Sequence, residues 1–475
     1  GEFDCGVMIS ASHNPFTDNG IKLVNGDGEK IDDRTIQVIE DYLDGGARAL
    51  GLDADELPLS YGADIGQIVD YAAGRNRYVG YLISLAAHSY RSLRIGLDCA
   101  NGSSWMIAKA VFEALGARTY IINAAKSVYD ALGAKTYVIN CEPDGTNINT
   151  NCGSTHIEGL RRLVLSEHLD VGFAFDGDAD RCIAVDENGE EVDGDRILYI
   201  LACAMRESGT LPQDTVVTTV MTNMGLYRAL DAAGIRHVET TVGDRFIYES
   251  MVRGGYGLGG EQSGHVILRK YATTGDGLLT AIMLAERMVD AKMPLSRLAA
   301  PVVLSPQLQK SIRVPDKDAV LADPVVKARL ADIAARLGNS GRILLRRSGT
   351  EPVVRVMAES PSLALCGACA DEMLALIPWM KSRCFCTLYD AVKVMIPAGI
   401  GYKLVNRYRM NAAFKNYDRE AFTDTAWQII VALTAAKNGL TGAELTERLG
   451  IEEKSSDLLS LLENGTVIRE NAASR

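Results

Sequence analysis

The sequence predicts an α/β protein of several domains, with mixed sheets covered by helices, a smaller α+β unit near residue 340 and a mostly helical tail. Three observations carry this expectation. Short apolar, β-branched runs alternate with segments of helical periodicity from about residue 64 to 303, the pattern of strands covered by crossover helices. The chain has 475 residues, several times the size of one ordinary core. After about Lys381 the alternation gives way to a basic, aromatic stretch and then to helix–turn–helix patterning.

Val7–Ile9 reads as a short buried strand that delivers Ser10–Pro15 to a loop at its C-terminal end, the usual site position in an α/β sheet. Next, a helix over Gly66–Ala87 leads to a strand at Leu93–Asp98, and alternation continues to strands at Val171–Phe175 and Cys182–Asp186. Helices over Arg196–Glu207, Gly225–Gly234 and Gly277–Ala291 then alternate with strands at Thr215–Met221 and His237–Thr241. The Pro-containing stretch Leu304–Pro315 marks a boundary, followed by strands at Arg342–Arg346 and Val353–Glu359 and a final helix. The expected domains are 1–63, 64–193, 194–303 and 304–380, with a tail at 381–475.

One repeat interrupts this order. Ala108–Ala124 is followed at once by Ala125–Cys141, and eleven of seventeen positions are identical. Each copy reads as a helix, a Gly turn and a strand. Two copies fall short of a solenoid, so the expectation is a local duplication whose copies compete for one place in a sheet.

Composition excludes several classes. Hydrophobic residues make up 47%, charged residues 23%, and the formal net charge is −12, which opposes bulk binding to nucleic acid or acidic membranes. No apolar run has transmembrane length, and Gly1–Asp4 lacks the features of a signal peptide. Ten scattered cysteines suit buried thiols in a reduced cytoplasm. Cys366, Cys369, Cys384 and Cys386 have poor spacing for zinc, and a metal there is disfavoured. In the tail, helices at Ala443–Leu449 and Ser455–Glu463 followed by a short strand give a winged-helix order, but the second carries only Asp457 and Glu463 as charges. That favours a helical bundle or a protein contact, with no partner specified, over DNA.

Four segments carry chemistry. Ser10-Ala-Ser-His-Asn-Pro15 presents Ser12 beside His13 and Asn14, with Lys22 following a turn at Asn19-Gly20. A phosphate-carrying hydroxyl needs such exposure, donors and a nearby cation, although an ordinary turn reads equally well. Asp176-Gly-Asp-Ala-Asp-Arg181 places Asp176, Asp178 and Asp180 between two apolar β runs. Oxygen-only ligands suit magnesium. An EF-hand is excluded, because Arg181 stands where Gly is required and strands flank the loop. Gly259–His265 offers a carboxylate, an amide and a hydroxyl for sugar hydroxyls, or simply a tight hairpin. Arg346–Pro352, with Arg355 downstream, sets guanidinium groups, hydroxyls and backbone amides between two strands as a phosphate cradle.

Taken together and in this order, the four segments resemble the α-D-phosphohexomutase family over about Asp4–Met380, and within it the bacterial phosphoglucosamine mutases, since Gly260-Glu-Gln-Ser-Gly-His265 matches that branch. The resemblance implies a phosphoserine at Ser12 and a magnesium ion held by Asp176, Asp178, Asp180 and a Ser12 phosphate oxygen. It implies that His13 and Lys22 assist proton transfer or stabilise charge. Arg181, Gly243, Asp244, Arg245, Glu261, Ser263 and His265 would face the sugar, and Arg347, Ser348, Gly349, Thr350 and Arg355 would hold the non-reacting phosphate. The implied reaction converts glucosamine 6-phosphate to glucosamine 1-phosphate, toward cell-wall precursors, with a sugar 1,6-bisphosphate as intermediate and activator. Alternatives are a phosphomannomutase/phosphoglucomutase and a non-catalytic scaffold. No counterpart of the family's Gly-Thr-Asp-Gly segment precedes the serine loop, so the expectation is a first domain short of strands and impaired turnover.

Overall fold

The computed structural model describes residues 3–51, 60–120, 138–140, 142–314, 316–348, 352–374, 403–411, 419, 422–436, 439–451, 455–463 and 466–474. It divides into two compact units. One comprises Gly1–Leu308, Ala331–Ile343 and Met357–Ala370, and the other Gln309–Leu330, Leu344–Val356 and Asp371–Arg475.

The first unit opens with an antiparallel pair, β1 (Cys5–Ile9) and β2 (Ile21–Asn25), whose register matches Cys5 to Asn25 and Ile9 to Ile21. The strand is where the sequence places it, but it is not buried. Val7 is 63% and Ile9 75% exposed, because among the described residues β1 and β2 form a two-stranded sheet with no layer packed over this face. Helix α1 (Asp33–Ala49) follows, broken at Gly46 by a left-handed φ of 66°.

The next sheet has the order β4-β3-β6-β7-β8, with β5 also paired to β3. Its strands are β3 (Arg94–Asp98), β4 (Arg118–Tyr120), β5 (Val138–Ile139), β6 (Val171–Phe175), β7 (Cys182–Asp186) and β8 (Glu191–Val192). Helices α2 (Ala72–Leu85), α3 (Ala108–Ala114) and α4 (Glu158–Ser166) accompany it. β6 and β7 are buried along their whole length, as unbroken apolar runs covered on both faces should be. β6 runs parallel to β3 and antiparallel to β7. The loop between β6 and β7 is therefore a hairpin tip at the C-terminal edge of the parallel strands.

A third sheet has the order β10-β9-β11-β12, from β9 (Thr215–Thr219), β10 (Arg236–Thr240), β11 (Leu258–Gly260) and β12 (Val266–Leu268). Helices α5 (Gly194–Glu207), α6 (Met224–Ala232), α7 (Asp244–Gly254), α8 (Gly277–Ala291) and α9 (Leu295–Ala299) surround it. One apolar cluster joins these layers to the preceding sheet through Phe112, Phe173, Phe175, Ile197, Leu201 and Ile282, each at most 3% exposed. Asp193 caps α5 and Asp276 caps α8 through their side chains, at the termini where such caps are worth about 1 kcal/mol.

Strands β13 (Gln307–Arg313), β14 (Arg342–Arg347) and β15 (Val353–Glu359) form a sheet of order β13-β15-β14, with helices α10 (Lys317–Ala322), α11 (Pro324–Leu337) and α12 (Leu363–Leu374). Cys366 and Cys369 lie buried on α12, where the Cys366 thiol meets the Pro306 carbonyl at 3.1 Å. Cys384 and Cys386 fall outside the described residues.

In the tail, α13 (Asp424–Ala435) precedes α14 (Gly442–Leu449) and α15 (Ser456–Glu463), and the last two match the expected helices. They pack on a sheet of order β17-β16-β18, from β16 (Lys403–Met410), β17 (Leu440–Thr441) and β18 (Val467–Ser474). Strand β16 was not expected, since the adjacent Leu404-Val405 and the polar Asn406 break the period of two by which a strand is recognised. Tyr408, Ile429, Leu445, Leu458 and Val467 form the tail's core.

Candidate active site

The serine loop lies between β1 and β2. Ser10 N–H donates to the Gly20 carbonyl at 2.9 Å and closes the loop. Ser12 N–H donates to Ser10 Oγ at 3.0 Å. Ser12 itself has φ 55°, a left-handed conformation that a non-glycine residue holds only when its surroundings impose it.

The β6–β7 hairpin tip comes up against this loop. Ser12 Oγ donates to Asp176 Oδ2 at 2.7 Å, and Ser10 Oγ donates to Asp178 Oδ2 at 3.1 Å. Gly177 is required here, since a Cβ on it would stand 2.6 Å from the Ser12 carbonyl oxygen. Lys22, from β2, brings its Nζ to 2.5 Å from Asp178 Oδ2 and 3.5 Å from Asp180 Oδ2. The structure thus collects Ser12, Lys22, Asp176, Asp178 and Asp180 at one point. His13 meets Arg181 Nη1 through its Nδ1 at 3.0 Å.

Ligand atoms of the three aspartates lie within 4.8 Å of one another. Asp178 Oδ1 and Asp180 Oδ1 are buried with no hydrogen-bond partner among the described residues. Burial, and then the charges of Asp180 and Asp178, lift Asp176 to about 7. Three convergent carboxylates with orphaned oxygens are the donor set a hard divalent cation satisfies. Burial lowers the Lys22 pKa, but its hydrogen bond to Asp178 and the charges of Asp180 and Asp178 outweigh it, so Lys22 stays protonated. Burial, and then the Arg181 charge, lower the His13 pKa, which favours the neutral ring.

The third segment joins this cluster through His265. Its ring is 3% exposed, with Nδ1 3.6 Å from Asp180 Oδ2 and Nε2 3.6 Å from Asp244 Oδ2. Gly275 N–H donates to His265 Nε2 at 3.1 Å, so the ring proton sits on Nδ1 and faces Asp180. His265 does not line the neighbouring cavity of about 520 Å³, whose walls include Lys22, Lys30, Asp178, Asp180, Asp244 and Arg245. Burial raises the Asp244 pKa, but the neighbouring His265 ring and the ion pair with Lys30 outweigh it and hold the carboxyl below its ordinary value. The Gly259–His265 segment is a hairpin between β11 and β12 and also a polar wall. Glu261 Oε1 accepts from Gly243 N–H at 3.1 Å, Arg245 pairs with Glu249 at 2.7 Å, and Ser263 Oγ is buried and unpaired among the described residues.

In the second unit, Arg347 ends β14 and Ser348 follows it, 3% exposed. Ser348 N–H donates to the Val353 carbonyl at 3.0 Å. Lys317 donates to the Ser348 carbonyl at 2.8 Å, and Arg347 lies 3.2 Å from Asp318. Arg355 lies on β15. Gly349 and Thr350 fall outside the described residues.

Sequence reading missed Ser10, Lys30, Lys317 and Asn149. Asn149 donates through Nδ2 to the carbonyls of Ser12 and Asn14, each at 2.8 Å. Nothing local signals this, because Asn147-Ile-Asn149 reads as a turn and its targets are more than a hundred positions away.

Comparisons with known proteins give the chain's relatives. Residues 1–49, 76–189, 193–304 and 310–376 match family models for phosphoglucomutase/phosphomannomutase alpha/beta/alpha domains I, II and III and the C-terminal domain. A phosphoglucosamine mutase of Lachnospira eligens is 56% identical over 376 residues, covering 79% of this chain and 78% of that protein. One from Rhodococcus erythropolis is 46% identical over 378 residues, covering 79% of each. The crystal structure of a phosphoglucomutase/phosphomannomutase family protein from Burkholderia thailandensis shares the fold, with TM-score 0.61 and 23% identity over 80% of this chain and 77% of that one. An Aspergillus fumigatus N-acetylphosphoglucosamine mutase, solved with GlcNAc-6P and magnesium, superposes with TM-score 0.55 and 18% identity over 78% of this chain and 88% of that one.

Proposed function

This chain belongs to the phosphoglucomutase/phosphomannomutase family, and on that premise we propose that it interconverts glucosamine 6-phosphate and glucosamine 1-phosphate in the cytoplasm. The observation that carries the reading is Ser12 Oγ at 2.7 Å from Asp176 Oδ2, inside a three-carboxylate cluster that Lys22 also enters. The relatives at 46–56% identity that bear the phosphoglucosamine mutase name support the sugar assignment.

Phosphoryl transfer asks a protein mainly for position and charge. In the forward half-reaction, the bond from phosphorus to Ser12 Oγ breaks and a bond from phosphorus to a sugar hydroxyl oxygen forms. The hydroxyl proton ends on Ser12 Oγ, whose hydrogen bond Asp176 then accepts. The second half-reaction returns the other phosphate of the sugar 1,6-bisphosphate to Ser12. Asp176, Asp178 and Asp180 would hold magnesium, which when bound offsets negative charge on the phosphoryl group. Lys22 stays protonated and contributes a fixed positive charge. Neutral His13 accepts from Arg181 at Nδ1, so it carries its proton on Nε2 and acts as a donor rather than a base. Glu261, Ser263, Gly243, Asp244 and Arg245 are assigned to the sugar side, with Arg181 behind His13. His265 orients Asp180 and Asp244 and so shapes that wall. Arg347, Ser348, Gly349, Thr350 and Arg355 are assigned to the phosphate that is not reacting.

The test is turnover of glucosamine, glucose and mannose 6-phosphates, followed by phosphorus NMR with magnesium and glucose 1,6-bisphosphate present. The reading expects kcat/KM at least about tenfold higher for the glucosamine ester. Equal or better rates with mannose or glucose esters would replace the sugar assignment.

A further inference from the structure

We infer that Asn149 is a positioning residue, a clamp that holds the backbone of the serine loop in the left-handed conformation from which Ser12 meets the carboxylate cluster. The inference rests on the reading of Ser12 as the phosphate carrier and names what keeps it in place.

The side-chain amide of Asn149 donates to two carbonyls of the loop, Ser12 and Asn14, at 2.8 Å each. Both partners are acceptors, so the orientation of the amide is fixed: Nδ2 faces the loop. Asn149 is 7% exposed, so no bulk solvent replaces it as donor. Its own backbone is anchored, with Asn149 N–H donating to the Ala100 carbonyl at 2.9 Å, two residues past β3. That strand end is fastened in turn by Asp98, which accepts from Ala100 N–H at 3.0 Å and Gly153 N–H at 3.0 Å. The clamp therefore transmits the position of a buried strand to an exposed hairpin loop.

The residue type fits the task. Asn149 has φ 57°, a region that Asn tolerates better than most residues. A longer amide would overreach, and a carboxylate would face two carbonyl oxygens with no proton to share. Ser12 needs the support, because its φ of 55° is costly for serine and the face of β1 that carries Val7 and Ile9 is exposed. Asn149 does not line the cavity beside the cluster, so its effect on a reaction runs through Ser12 and not through the sugar.

Two variants separate these causes. Asn149→Gly keeps the left-handed backbone and removes the donor. Asn149→Asp keeps shape and backbone but replaces the donor with an acceptor. For both, kcat is expected to fall about tenfold to a hundredfold, the loss of two hydrogen bonds at the reacting group. KM should stay within about twofold of the parent. Amide hydrogen exchange over residues 10–15 should quicken by about tenfold or more, while exchange over β6 and β7 stays unchanged. Unchanged kcat and exchange in Asn149→Gly would overturn the clamp, as would full recovery of kcat in Asn149→Asp or a rise in KM at constant kcat. If the parent chain takes no phosphate at Ser12, the functional reading fails, and the exchange measurement alone still decides whether Asn149 holds the loop.

Discussion

Lys22 Nζ lies 2.5 Å from Asp178 Oδ2 and 3.5 Å from Asp180 Oδ2, so a cation from the first segment already stands among the carboxylates assigned to magnesium. Lys22 is one-third exposed and Asp178 is 2% exposed, so the buried carboxylate meets this cation beside the Ser10 hydroxyl. Lys22→Met keeps the aliphatic stem and removes the charge. Calorimetric titration should show magnesium binding as tight as in the parent or tighter, since a competing charge is gone. Turnover should still fall about a hundredfold, because the same charge steadies the transferring phosphate. Weaker magnesium binding in Lys22→Met would show that the lysine organises the metal site instead.

Asp98 gives a stability signature away from the carboxylate cluster. Burial lifts its carboxyl from an ordinary 3.8 to about 6, against hydrogen bonds from Ala100, Gly153 and Asn140. A folded pKa above the unfolded one means the fold favours the protonated acid. Its contribution is fully present below about pH 4 and is lost as pH rises through about 6. At 1.36 kcal/mol per unit, the part lost between pH 5 and pH 7.5 is about 1–1.5 kcal/mol. Asp98→Asn removes the titration, so the stability gap between parent and variant should shift by that amount across the interval in denaturant melts. A gap independent of pH would contradict the assignment.

The duplication has a structural answer in register. Arg94, Ile95 and Gly96 of β3 pair with Arg118, Thr119 and Tyr120, and Leu97 and Asp98 pair with Val138 and Ile139. Val138 and Ile139 are the second-copy equivalents of Ile121 and Ile122, seventeen positions on. One edge of β3 is thus served by both copies in unbroken register. Deleting residues 121–137 joins Tyr120 to Val138 and keeps every one of these pairings. The shortened chain should fold with a melting temperature equal to or above that of the parent. A lower one would show that the extra copy stabilises the protein.

The sheets and the four motifs were legible because each signal is local. Val171–Phe175 and Cys182–Asp186 are apolar runs with turn residues between them, and Gly277–Ala291 carries helical periodicity with a cap before it. Relations between segments were not legible. The exposure of Val7 and Ile9 depends on what packs over β1, which no pattern within β1 encodes. His265 looked like a sugar ligand from its motif, and only the fold shows its ring enclosed between Asp180 and Asp244. Asn149 draws no attention in the sequence, because hydrogen bonds to a distant backbone leave no mark on the residues around the donor. Strand β16 lacked an alternating pattern, and it is specified by pairing with β18 from Lys403 with Ser474 to Met410 with Val467.

Phosphate transfer to the chain itself tests directly whether Ser12 is the phosphate carrier. Incubation with glucose 1,6-bisphosphate and magnesium, followed by mass spectrometry of the peptide containing Ser10–Pro15, should show one phosphate on Ser12. Chelation of the metal should prevent its transfer, and Ser12→Ala should take none while keeping the parent's thermal stability. A phosphate absent from Ser12 in the parent chain, or present at equal level in Ser12→Ala, would show that Ser12 is not the carrier.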